Sequence, residues 1–129
     1  MERNFLDGTW QDSRTFSPAV ITSGCKIIWL AGHGAIWDDE RKSLAGNFEG
    51  QTRQSFKLLE RTLNHAGGYL ADIVSMTVFI SDARHGTRFT EIREEYFKGT
   101  NYPASALITV SGFAQSDMML EIQGIAVVE

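Results

Sequence analysis

Residues Ile73-Val74-Ser75-Met76-Thr77-Val78-Phe79-Ile80 decide the architecture of this chain. The stretch is rich in β-branched residues, too short for a typical helix, and apolar at consecutive rather than alternate positions. It predicts a central strand with both faces buried. Leu120 to Val128 (LEIQGIAVV) has nearly the same character and predicts a second such strand. Between Ile73–Ile80 and the C-terminus, Ala106 to Val110 supplies a further strand, set off by Ser111-Gly112 and the polar loop Gln115 to Asp117.

Outward from this centre, Phe48, Thr52, Ser55, Phe56, Leu59, Leu63 and Ala66 recur at helical spacing. Asn47 is placed to cap that helix, and Gly67-Gly68 to stop it. A second helix is expected from Arg88 to Lys98, with Phe89, Ile92, Tyr96 and Phe97 on one stripe and Gly99 at its end. Upstream, Ala19 to Thr22 and Lys26 to Ala31 read as two strands joined by a tight turn at Ser23-Gly24. The order is ββαβαββ, an α+β fold with two helices on one face of a mixed sheet. Two helices cover one face only, so the other is expected to pack against further subunits.

The chain has 129 residues, 43% hydrophobic and 22% charged, which excludes a disordered or collagen-like class. Its two prolines, Pro18 and Pro103, mark no linker, and no repeat divides it, so residues 1–129 are expected to form a single domain. A monomer of this size buries roughly two-thirds of its unfolded surface, which makes a deep private cavity hard to build. A ligand site is therefore expected at a subunit interface. Twelve Lys and Arg against sixteen Asp and Glu give a net charge of -4 with no basic block, which argues against a nucleic-acid or anionic-membrane partner. Cys25 is the single cysteine, and no HExxH pattern occurs, so neither a disulfide nor a metal site is expected. The N-terminal MERNFLDGTWQD lacks the apolar stretch of a signal peptide, and no apolar run reaches the roughly 20 residues of a membrane helix. A soluble cytoplasmic protein is the default reading.

Few residues are suited to chemistry. His33, within Ala31-Gly32-His33-Gly34, follows an apolar strand, where glycines allow close backbone approach to a ligand. An imidazole there suits general acid/base work, or is simply a turn histidine. Glu121 interrupts an apolar strand, either as a carboxylate tuned by its surroundings or as an outward-facing charge. Ser105 and Ser111 flank a strand without any GxSxG elbow, so hydrogen bonding suits them better than nucleophilic attack. His65, His85 and Cys25 carry no comparable signal.

Several segments in order resemble the Rid family (YjgF/YER057c/UK114, also called L-PSP endoribonuclease) from about Ser17 to Val128. They are Ile28-Trp29-Leu30-Ala31-Gly32, Gln51-Thr52-Arg53-Gln54-Ser55, Asp72-Ile73-Val74 with Thr77-Val78-Phe79-Ile80, and Tyr102-Pro103-Ala104 with Leu120-Glu121-Ile122 and Ile125-Ala126-Val127. The resemblance implies a chorismate-mutase-like fold and a homotrimer with a central barrel and clefts between subunits. It also implies cofactor-independent hydrolysis of enamines or imines such as 2-aminoacrylate. On this reading Glu121 and His33 are the catalytic candidates, and Gly32, Ser105, Ala19, Leu107 and Phe113 the substrate-binding ones. The deaminases carry an arginine where this chain has Ser105, a tyrosine at Ala19 and a cysteine at Leu107. The match is therefore to an arginine-lacking subgroup, for which efficient 2-aminoacrylate turnover is not expected. The alternatives are a non-catalytic trimeric ligand-binding or regulatory protein and, less favoured by the acidic balance, an endoribonuclease.

Overall fold

The computed structural model describes residues 2–5, 15–17, 20–98 and 101–129. Its elements are β1 (Glu2–Phe5), β2 (Val20–Ser23), β3 (Lys26–Trp29), α1 (Phe48–His65), β4 (Ile73–Ile80), α2 (Gly86–Phe97), β5 (Ala104–Thr109) and β6 (Leu120–Val128). The apolar run Ile73–Ile80 is an inner strand of a four-stranded sheet ordered β3-β6-β4-β5. β4 pairs antiparallel with β6 and parallel with β5, so the sheet is mixed, as expected for this α+β class. The hairpin expected across Ser23-Gly24 does not form. Gly24, at φ +60°, instead turns the chain from β2, which pairs with β1, into β3, which joins the larger sheet beside β6.

Both helices lie on one face of that sheet. Met76, Val78 and Ile80 of β4 and Leu120, Ile122 and Ala126 of β6 share one core with Phe56, Leu59 and Leu63 of α1 and Phe89 and Ile92 of α2. The Phe56 ring stacks on Tyr96 at 4.5 Å and on Phe89 at 5.9 Å, locking the helices together. Burying each large side chain contributes about 1.5–3 kcal/mol. Among the described residues the opposite face carries no helix. There Trp29, 73% exposed, stands across from Ile125 and Thr77 across from Gln123 around a shallow depression of about 230 Å³, and Phe79 stands across from Glu121 further along the same face. No helix among the described residues is long and apolar enough to cross a membrane.

The start of α1 is unusual in burying polar residues. Asn47 caps it by accepting from the Gly50 N–H at 2.8 Å, and Gly68 closes it by donating to the Leu63 carbonyl at 2.8 Å. Inside, Gln51 is fully buried and fully used. Its amide donates to the carbonyls of Leu44 at 3.0 Å and Asp117 at 2.8 Å, and its oxygen accepts from the Met119 N–H at 2.8 Å. One side chain thus ties the β3–α1 and β5–β6 loops to the helix. A second tie is Asp39, which accepts from Gln54 and Arg61. The Arg61 hydrogen bond first, and the Gln54 one second, hold its carboxyl at about 2 against an ordinary 3.8.

Gln51→Leu strands three backbone groups, each costing about 1–3 kcal/mol when left unpaired. Urea denaturation is expected to show a loss of about 3 kcal/mol or more, with faster hydrogen exchange at Met119. A loss under about 1 kcal/mol would mean that water replaces the amide. Because the Asp39 carboxyl is lower in the folded chain, its stabilisation is present above pH 3.8 and fades as the pH falls through about 2. Carboxyl NMR titration is expected to give that low midpoint in the native protein and a midpoint nearer 3.8 in Arg61→Gln.

Candidate functional site

β6 alternates its side chains across the sheet, so Leu120 and Ile122 enter the helical core while Glu121 emerges on the uncovered face. The chain segment after β3 runs beside it, with Leu30 and His33 hydrogen-bonded to Gly124 and Ile122 of β6. This brings Gly32 directly under the Glu121 carboxylate. A Cβ at residue 32 would sit 1.8 Å from Glu121 Oε1, so only glycine lets the carboxylate lie over the backbone there. Glu121 is half-buried, and among the described residues it has neither a hydrogen bond nor an ion pair. A carboxylate in this state is available to orient water or a ligand.

His33 does not join it. Paired opposite Ile122, it points to the helical side of the sheet. Its Nδ1–H donates to the Ala31 carbonyl at 2.7 Å, and Nε2 meets the Thr62 hydroxyl of α1 at 2.8 Å. With both ring nitrogens engaged, His33 fastens the 31–34 segment to α1, and the expected Glu121–His33 pair is not assembled within the chain.

Ser105 and Leu107 form a second, separate group. In the parallel register they stand beside Met76 and Val78, both core residues, so they lie on the helical side of edge strand β5. With Phe16, Thr90 and Arg93 they line a pocket of about 70 Å³. Arg93, on α2, is the residue that the sequence reading passed over. It is 3% exposed and donates from Nη1 to Ser105 Oγ at 2.7 Å and from Nε to Thr15 Oγ1 at 3.1 Å. Its position four residues after Phe89, inside the apolar stripe, was the available signal. Phe113 is half-buried in the β5–β6 loop, and Ala19 lies outside the described residues. Among the described residues, no group of three or more His, Cys, Asp or Glu is gathered as for a metal ion.

A mixed four-stranded sheet with both helices on one face, and polar groups waiting on both sides, has close structural counterparts among Rid proteins. YyfB of Yersinia pestis, a protein of unknown function of the conserved Rid family, superposes with a TM-score of 0.87 over 99% of this chain and 100% of its own, at 20% identity. YyfA from the same organism gives 0.73 at 27% identity, covering 98% and 100%. The family model described as Endoribonuclease L-PSP matches residues 11–128. A RutC family protein of Pyrococcus horikoshii is 30% identical over 100 residues, 78% of each chain. The chain belongs to this Rid/YjgF, or L-PSP, family.

Contact between Gly32 and Glu121 has a measurable signature. Gly32→Ala is expected to push the flexible Glu121 side chain aside and destabilise the protein by about 1 kcal/mol, the low end of overpacking costs. In the Gly32→Ala/Glu121→Ala double variant most of that cost should vanish. Additive costs in the cycle would show that the carboxylate does not rest on Gly32.

Proposed function

We propose that this protein is a cofactor-independent hydrolase of small molecules with an electrophilic C=N bond, an enamine- or imine-type catabolic intermediate, working in clefts between the subunits of a homotrimer. The observation that carries this reading is Glu121, a half-buried carboxylate lying over Gly32 that, among the described residues, has no side-chain partner and stands on a sheet face no helix covers. In the proposed reaction the carboxylate orients a water and accepts its proton as the oxygen bonds to the imine carbon. The C=N π pair moves to nitrogen, which takes up that proton to give a carbinolamine. Transfer of the carbinolamine hydroxyl proton to nitrogen then lets the C–N bond break, releasing ammonia and leaving a carbonyl product, and an enamine enters this sequence after tautomerising to its imine.

Family membership supports the assembly, and so does the surface chemistry. Trp29, Ile27 and Ile125 put apolar side chains on the uncovered face, where solvent would otherwise meet them. Within one chain, Glu121 and the Ser105–Leu107 pocket lie on opposite sides of the sheet, so one reaction space can use both only across two copies. By the family resemblance, Ser105 stands where the family's deaminases carry a carboxylate-binding arginine on this strand, which supports placing the chain in an arginine-lacking subgroup. Among the described residues Arg3, Lys42, Arg53, Arg61, Arg84 and Arg88 each pair with an acid, which weakens the positive footprint that RNA cleavage would use.

A panel of imino acids, aminomuconate-like enamines and cyclic amides is expected to yield turnover that drops at least tenfold in Glu121→Gln. Equal turnover would remove Glu121 from the mechanism, and binding of panel compounds without product would favour a regulatory ligand-binding protein. Sedimentation velocity is expected to show a trimer that dissociates in Trp29→Glu. A native monomer would contradict the shared cleft.

A further inference from the structure

Arg93 is a buried cation with no anion beside it among the described residues. Among the described residues no carboxylate lies within ion-pair distance of it, whereas most surface arginines of this chain have one. Burial holds its guanidinium at about 10, well below the ordinary 12.5, and Phe89 offers only its ring face, 5.1 Å from the guanidinium carbon. A charge kept in the core for structure alone is normally matched by a buried acid.

The hydrogen bonds of Arg93 aim it rather than neutralise it. Nε is fixed by Thr15 Oγ1, and Nη1 by Ser105 Oγ and, at 3.8 Å, by Met76 Sδ. Nη2 makes no hydrogen bond among the described residues, and it is not among the sealed, unpartnered polar atoms. The guanidinium lines the pocket shared with Phe16, Thr90, Ser105 and Leu107. Ser105 Oγ accepts from Arg93, which leaves its own proton to donate. Thr90 is already committed, its hydroxyl donating to the Gly86 carbonyl at 3.0 Å.

We propose that Arg93 is the anion-recognising residue of this pocket, and that the pocket takes the carboxylate of a small ligand. The carboxylate oxygens accept from Arg93 Nη2 and from the Ser105 hydroxyl, and the cation reaches the site from helix α2 rather than from strand β5. The inference rests on the reading of Ser105 and Leu107 as one wall of the ligand cleft, but not on hydrolysis.

The test is calorimetric titration of the intact protein with pyruvate and with pyruvamide, its uncharged counterpart. Pyruvate is expected to bind at least tenfold more tightly than pyruvamide, and Arg93→Met to lose that preference. Because Arg93→Met empties part of the core, Ser105→Asp supplies an independent arm. It places a carboxylate against the guanidinium, so it should raise the melting temperature and abolish pyruvate binding. Equal affinity for the two probes, no binding of either by the native protein, or undiminished pyruvate binding in Ser105→Asp would overturn the proposal. Absence of turnover on every panel compound, with pyruvate binding intact, would defeat the hydrolase reading and leave this inference standing.

Discussion

One sheet with two apolar faces and only enough helix for one is the constraint from which the rest of this structure follows. α1 and α2 bury the Met76, Val78, Ile80, Leu120 and Ile122 side while Trp29 and Ile27 stay at the surface across the sheet. Another layer is the only way to bury that second side, and the chain has no third long helix among its described residues to provide it. Strand alternation then distributes the polar groups. Glu121 goes to the uncovered face because Leu120 and Ile122 must go to the core, and Ser105 goes to the helical side because it stands beside Met76.

The two unpaired charges of interest are therefore held apart. The Glu121 side chain lies over the bare backbone of Gly32 with no polar partner among the described residues, and Arg93 meets hydroxyls, a thioether and a ring face. Had they been close, they would have formed an ordinary ion pair and spent their chemistry on each other. Separation by a sheet keeps a carboxylate and a guanidinium both available, and the polar ties around Gln51 and Asp39 hold the loops that flank them.

Much of this was legible in the residues. The consecutive apolar positions of Ile73–Ile80 and Leu120–Val128 foretold inner strands, and Asn47 and Gly67-Gly68 bracketed α1 nearly to the residue. Glu121 stood out because a charge interrupts an apolar strand, and Gly32 because glycines flank a strand end. The rest was hidden for identifiable reasons. The direction of His33 depends on its pairing opposite Ile122, a tertiary fact that no local pattern encodes. β1 is four residues long, and its pairing with β2 is equally non-local. Arg93 sits on the apolar stripe of α2, where an arginine reads as a surface residue until Thr15 and Ser105 are brought to it by the fold.

The central claim is that the uncovered sheet face is an interface across which the Gly32–Glu121 group of one copy meets the Arg93–Ser105 pocket of another. A crystal structure of the assembled protein tests it most directly. The account predicts three copies joined through the Trp29 face, with each Glu121 carboxylate and a neighbouring copy's Ser105 opening onto the same cleft. An assembly joined through the helices, or one in which these two groups open onto separate solvent, would contradict it.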